Sequence, residues 1–179
     1  VLLFNNRIYG LTKGQYSPAS ERGKITKSTP LGSVDHPVNP LQFALGAGAT
    51  FVARAVDTEA KGLMDVLTKA QQHKGTAFVE ILQNCVVFND GAWVQITDKE
   101  KKPVTQLLLQ HEQPLLFAGG KKGIGFDRVA LRPFVIDLVA TPERKAEVLV
   151  HDDADPTGMM ALVYARMDHP EFPVPLGVF

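Results

Sequence analysis

The pair Asn5-Asn6 closes an apolar run, Val1-Leu2-Leu3-Phe4, and opens a turn-forming stretch, Arg7-Ile8-Tyr9-Gly10-Leu11-Thr12-Lys13-Gly14-Gln15. A buried strand that ends in two carboxamides and then a glycine-bearing turn suits a metal ion bound to a diphosphate. Ligands gather at the carboxyl ends of strands in open α/β sheets. Mg²⁺ shared with a diphosphate takes near-octahedral oxygen ligands, only a few of them from protein. The Asn6 side-chain oxygen and, two residues on, the Ile8 backbone carbonyl are the candidate ligands. Asn-Asn alone also suits an ordinary strand-ending turn, so the whole string carries the reading.

That string, residues 5–15, resembles the second half of the thiamine diphosphate motif. More narrowly, it resembles the β subunit of the 2-oxoacid:ferredoxin oxidoreductases, above all the 2-oxoglutarate branch. Other stretches resemble the same subunit: Ser28-Thr29-Pro30-Leu31-Gly32 with Asn39-Pro40, Ala44-Leu45-Gly46-Ala47-Gly48-Ala49-Thr50-Phe51-Val52-Ala53-Arg54, and Ile81-Leu82-Gln83-Asn84-Cys85-Val86-Val87-Phe88-Asn89. The closing Pro170-Glu171-Phe172-Pro173-Val174-Pro175-Leu176-Gly177-Val178-Phe179 extends the resemblance to the end of the chain.

The resemblance implies cofactor contacts from Asn6, Ile8, Tyr9, Gly10, Leu11 and Thr12, with Mg²⁺ held by Asn6 and Ile8. The motif's carboxylate, in a Gly-Asp-Gly turn, is expected upstream of Val1, so the chain is read as a carboxyl-terminal portion. It implies that Cys85 is the last of four cysteine ligands to a [4Fe–4S] cluster, the other three also lying upstream; thiolate ligation suits such a cluster. Lys13 is implied as the partner of the distal carboxylate of a dicarboxylic 2-oxoacid. Leu11 stands where pyruvate-specific relatives tend to carry asparagine. The activity implied is oxidative decarboxylation of 2-oxoglutarate to succinyl-CoA, with coenzyme A, ferredoxin and an α subunit as partners. The alternatives are a pyruvate or other 2-oxoacid enzyme, and a non-catalytic interaction module of the same fold. No residue is assigned as a catalytic group.

Read without the resemblance, the same residues have plainer roles. Cys85 is a small core residue, Lys13 a solvated lysine, and Gly10 and Gly14 permit backbone turns. Tyr9, Thr12 and Gln15 either touch a cofactor or pack beneath it. Gly119-Gly120-Lys121-Lys122-Gly123-Ile124-Gly125 lacks the full phosphate-loop pattern and reads as a mobile loop. The five histidines show no zinc spacing.

The elements that must position these residues follow from periodicity. Expected are strands at 1–4, 50–56 and 76–82, a helix over 40–48 opened by Asn39-Pro40, and a helix over 59–73. Together they form an α/β fold with a mostly parallel sheet flanked by helices. Segment 10–38, rich in Gly, Ser, Thr and Pro, reads as irregular. Beyond a turn at Asn89-Asp90-Gly91, residues 98–113 read as an irregular or helical excursion. Weaker strands are expected at 115–117 and 131–139, with Pro133 marking an edge. A helix is expected from Asp155-Pro156 to about Asp168, with Asp152, Asp153 and Asp155 at its N-terminus. One domain spans 1–179, with 140–179 as a helix and an extended tail lying across a partner subunit.

Composition narrows the class. The chain of 179 residues is 45% hydrophobic and 21% charged, ordinary for a globular protein. Basic and acidic residues number 19 each, which points to neither nucleic acid nor a membrane surface as partner. No apolar run approaches a spanning length. A single cysteine excludes an internal disulfide framework and agrees with the expected cytoplasmic location.

Overall fold

Three short apolar runs build the parallel sheet that carries the Asn5-Asn6 turn. In the computed structural model, which describes residues 1–179, they are β1 (Leu2–Asn5), β2 (Phe51–Val56) and β3 (Ala77–Leu82). β3 lies between the other two and pairs in parallel with each, Asn5 facing Leu82 and Arg54 facing Glu80. Helix α1 (Pro40–Gly46) begins as the sequence predicts, with Pro40 in its first turn and the Asn39 side chain accepting a hydrogen bond from the Gln42 N–H. Such a cap contributes about 1 kcal/mol. Helix α2 (Ala60–Gln72) connects β2 to β3 and completes a βαβ unit. Segment 10–38 holds neither helix nor strand and is built from hydrogen-bonded turns. The expected α/β class with a mostly parallel sheet is borne out.

The chain divides into two compact units, Val1–Val94 and Gln95–Phe179, a finer partition than the single domain read from sequence. A one-turn helix, α3 (Val94–Thr97), lies at the division. In the second unit a one-turn helix, α4 (Lys102–Thr105), leads into β4 (Gln106–Leu109). The excursion expected over 98–113 therefore contains a strand. Its sequence signal is weak because it is four residues long and its partner is remote: β4 pairs in parallel with β8 (Val174–Val178). The extended tail is thus a ladder strand of this same unit, four of its five residues buried.

β5 (Leu116–Phe117), β6 (Lys122–Asp127) and β7 (Arg132–Asp137) form an antiparallel sheet with β6 in the middle. Pro133 lies on its edge strand, as expected. The glycine-rich segment read as a mobile loop is instead the turn into β6 and β6 itself. Gly119 and Gly120 have φ of +64° and +80° and make the turn. Gly125 lies against the Phe134 ring, 2.5 Å from where a Cβ would stand, so the cross-strand aromatic takes the missing side chain's place. The helix expected from residue 155 is shorter, α5 (Met159–Ala165), because Gly158 adopts φ +62°. Asp155 caps the preceding turn through Thr157, whereas Asp153 and Asp152 face His111 Nδ1 at 2.8 and 3.5 Å. These three side chains form a partly exposed polar cluster that joins distant parts of the sequence. The core of this unit gathers Leu107, Leu109, Leu115, Phe117, Ile124, Tyr164 and Met167. No helix of the chain is long and apolar enough to cross a membrane.

His151, 1% exposed, holds the last strand in place through its Nε2, 2.9 Å from the Val178 carbonyl. The imidazole must donate there, which leaves Nδ1 bare and without a partner. Burial lowers the His151 pKa below its usual value, against the opposing effects of the Val178 carbonyl, Asp153 and Asp152; His111 adds to the lowering. Folding therefore favours the neutral ring. Its stabilisation is fully present above the ordinary pKa of about 6.5 and is lost as pH falls below that value. His151→Gln keeps an N–H donor for Val178 but does not titrate. The fall in melting temperature between about pH 7 and 5 should be shallower in this variant than in the parent, and an unchanged slope would assign the acid sensitivity to other groups.

Candidate functional site

At the carboxyl end of β1 the chain leaves the sheet through two carboxamides with different tasks. Asn5 is buried and fully engaged. Its Nδ2 donates to Glu80 Oε1 at 2.7 Å, and its Oδ1 accepts the Arg7 N–H at 3.1 Å. Its carbonyl accepts from the Trp93 indole N–H at 2.8 Å. Asn6 is half-buried, and its Oδ1 accepts the Ile8 N–H at 3.2 Å. A carboxamide oxygen has two lone pairs, so one stays available after this bond. Arg7, which follows the pair, is a non-glycine residue at φ +55°, and its guanidinium lies 3.7 Å over the Trp93 ring. Its carbonyl accepts from Ser20 Oγ at 2.6 Å, tying segment 10–38 to the turn.

Beyond Ile8, which is buried, the chain doubles back on itself. Tyr9 and Gln15 bridge, Gly14 N–H bonds the Tyr9 carbonyl, Lys13 N–H bonds the Gly10 carbonyl, and Thr12 Oγ1 donates to the Tyr9 carbonyl at 3.1 Å. Thr12 thus braces the turn itself. The Ile8 carbonyl takes part in none of these bonds. Leu11, Thr12 and Lys13 are exposed, Leu11 completely so. An open cleft of about 550 Å³ borders the turn, and Asn6, Ile8, Tyr9, Gly10 and Leu11 are among its lining residues, with Pro18, Val38 and Phe43. Thr12, Lys13 and Cys85 are not among them.

Cys85 follows β3 and is half-buried, not sunk in the core. The segment after it closes as a turn, Asn89 N–H bonding the Cys85 carbonyl at 2.9 Å. The Asn89 side chain then reaches across: its Nδ2 donates to the Asn6 carbonyl at 2.9 Å and its Oδ1 accepts from Lys24 Nζ. A Cβ on Gly10 would stand 3.9 Å from Cys85 Sγ. The fold therefore sets the cysteine turn directly beside the Asn6 turn. The donor set of the latter, two neutral oxygens at a strand's carboxyl end, fits a hard cation such as Mg²⁺; the half-buried thiol fits a soft one.

Sequence reasoning takes Asn5 only as one of a pair and finds no site role for Glu80, Arg54, Trp93, Asn89 or Ser20. Glu80 alone leaves a signal: it is the one charge in a strand otherwise apolar on both faces.

The chain has relatives among known proteins. Residues 1–81 match the family model described as the thiamine pyrophosphate enzyme C-terminal TPP binding domain. In its first part the chain thus resembles a thiamine diphosphate-binding α/β domain. Over 158 residues, 85% of the chain, it is 49% identical to the 2-oxoglutarate oxidoreductase subunit KorB of Mycobacterium tuberculosis. It is 47% identical over 90 residues to a 2-oxoacid:ferredoxin oxidoreductase β subunit of Aeropyrum pernix, a match that takes in 50% of the chain. Among solved structures, the 2-oxoglutarate:ferredoxin oxidoreductase of Magnetococcus marinus, with 2-oxoglutarate, coenzyme A and succinyl-CoA bound, aligns with 99% of the chain at a TM-score of 0.65 and 26% identity. The resemblance read from the sequence is borne out: the chain is homologous to the β subunits of 2-oxoacid:ferredoxin oxidoreductases. It spans 40% of the mycobacterial relative's length, 28% of the Aeropyrum one and 45% of the solved chain.

The two glycines of the turn separate on geometry. Gly14 has φ +92° and a would-be Cβ 3.2 Å from the Phe88 ring, whereas the Cβ of an alanine at Gly10 would meet Phe88 at an ordinary 3.8 Å. Gly14→Ala should cost about 1–2 kcal/mol. Gly10→Ala should stay within about 0.5 kcal/mol. Denaturant midpoints at unchanged slope measure both, and equal losses would contradict the assigned conformations.

Proposed function

We propose that the chain is part of the β subunit of a 2-oxoglutarate:ferredoxin oxidoreductase, which converts 2-oxoglutarate to succinyl-CoA together with an α subunit, coenzyme A and ferredoxin. The observation that carries this reading is the Asn6 turn lying beside the Cys85 turn in a chain 49% identical, over 85% of its length, to a 2-oxoglutarate oxidoreductase subunit. When bound, thiamine diphosphate supplies a carbon nucleophile for the oxo carbon and a sink for the electrons released with carbon dioxide.

The chain's own residues hold and orient. Asn6 Oδ1 and the Ile8 carbonyl are the two oxygens that would hold Mg²⁺ for a diphosphate. Tyr9, Gly10, Leu11 and Thr12 form the turn that follows, with Tyr9, Gly10 and Leu11 on the cleft. Cys85, on the neighbouring turn, would contribute one thiolate to a [4Fe–4S] cluster. Lys13, exposed on the outer bend, offers an ammonium to the distal carboxylate of the substrate.

A broader substrate range is the second reading. Several relatives at 43–47% identity are named for 2-oxoacids in general. Lys13→Ala separates the two. Loss of a charge-assisted bond should lower kcat/KM for 2-oxoglutarate about ten- to a hundredfold and that for pyruvate much less. Equal losses would assign Lys13 to the turn and not to the substrate.

Cys85→Ser tests the cluster. Iron content and the broad iron–sulfur absorbance of the assembled enzyme should fall, and ferredoxin reduction should stop, with the fold retained. Iron equal to that of the parent would make Cys85 a packing residue only.

A further inference from the structure

Glu80 is 1% exposed in the middle of an apolar strand, and both of its carboxylate oxygens are taken. Oε2 accepts Arg54 Nε at 2.7 Å and Oε1 accepts Asn5 Nδ2 at 2.7 Å. The second bond decides which way the Asn5 carboxamide faces, since its two ends have nearly the same shape and opposite polarity. With Nδ2 turned to Glu80, Oδ1 is turned to the Arg7 N–H, 3.1 Å away. That bond holds Arg7 at φ +55°, a conformation costly for a residue with a Cβ. Arg7 in turn presents the Ile8 N–H to Asn6 Oδ1. A flipped Asn5 would set N–H against N–H at Arg7 and release the whole turn.

We infer that Glu80 is a positioning residue for the metal turn, acting through the orientation of Asn5 to set Asn6 Oδ1 and the Ile8 carbonyl. The inference rests on the proposed reading of those two oxygens as Mg²⁺ ligands. Arg54 balances the charge; the carboxylate is needed because it alone accepts from Arg54 and Asn5 at once. A carboxamide in place of the Glu80 carboxylate has one acceptor and one donor end, so whichever way it faces it opposes a donor.

The test uses the full-length β subunit in its complex, stripped of cofactor. Thiamine diphosphate is titrated at fixed Mg²⁺ and Mg²⁺ at fixed thiamine diphosphate by calorimetry, with melting curves of the unloaded forms. Glu80→Gln should weaken both affinities about ten- to a hundredfold. The reciprocal swap, Asn5→Asp with Glu80→Gln, rebuilds every bond. Its carboxamide accepts from Arg54 and donates to the carboxylate now on β1, whose other oxygen accepts from Arg7. The swap also keeps the net charge. Affinity in the swap should return to within about threefold of the parent. Where Glu80→Gln alone fails to fold, the swap still decides, because a swap that does not regain both fold and affinity overturns the inference. Unchanged affinity in Glu80→Gln, beside a parent that binds and an Asn6→Ala variant that does not, overturns it too and leaves the proposed function standing. A parent complex that binds no thiamine diphosphate with Mg²⁺ overturns both.

Discussion

A buried carboxylate between two donors is the constraint on which the first unit depends. Glu80 and Arg54 face each other across β3 and β2, and Leu3 faces Glu80 across β1 and β3. Side chains alternate along a strand, so slipping β1 or β2 by one residue would turn Asn5 or Arg54 to the opposite face and leave the charge unmet. An isolated buried carboxylate costs several kcal/mol, far more than any single apolar contact in these short strands returns. Hydrophobic burial would accept several registers of Val, Ala, Ile and Leu; the ion pair and its third partner accept one. The same bonds that fix the sheet also fix how the chain leaves it.

The turn built on that register combines rigidity with an open edge. Its backbone is held from three directions, by Trp93 and Glu80 through Asn5, by Ser20 through Arg7 and by Asn89 through Asn6. Stacking of the Arg7 guanidinium on Trp93 adds a cation–π contact of about 0.5–2 kcal/mol. Meanwhile Tyr9 and Leu11 stay exposed and the cleft beside them is open. Fixed polar atoms beside unfilled apolar space suit a ligand that carries both charge and a ring system.

Much of the first unit is legible in the sequence because its signals are local. Asn39-Pro40 marks a helix start through one cap and one fixed φ, and the helix over 59–73 shows its face within a few turns. The Asn5-Asn6 string announces its turn through glycines and carboxamides. What stays hidden depends on partners far away in the chain. β4 is four residues whose strand character exists only against β8, and β6 carries glycines that look like loop residues until Phe134 and Val148 are laid over them. Asn89 reads as a turn former, which it is, but its side chain acts on a residue 83 positions earlier. Glu80 is visible as a charge in an apolar run, and only the pairing of β1, β2 and β3 gives it three-way meaning.

The Asn89 carboxamide has a consequence for how this region opens. Through its two ends it joins the Asn6 carbonyl to Lys24, at the middle of segment 10–38, while its own N–H closes the Cys85 turn. Segment 10–38 has no regular ladder or helix to protect its amides, only turn hydrogen bonds and anchor points of this kind. Local opening of the cysteine turn removes one anchor from each of three stretches of chain at the same moment. In hydrogen exchange these stretches would then form one cooperative unit, less protected than the β1–β3–β2 sheet beneath, despite their wide separation along the chain.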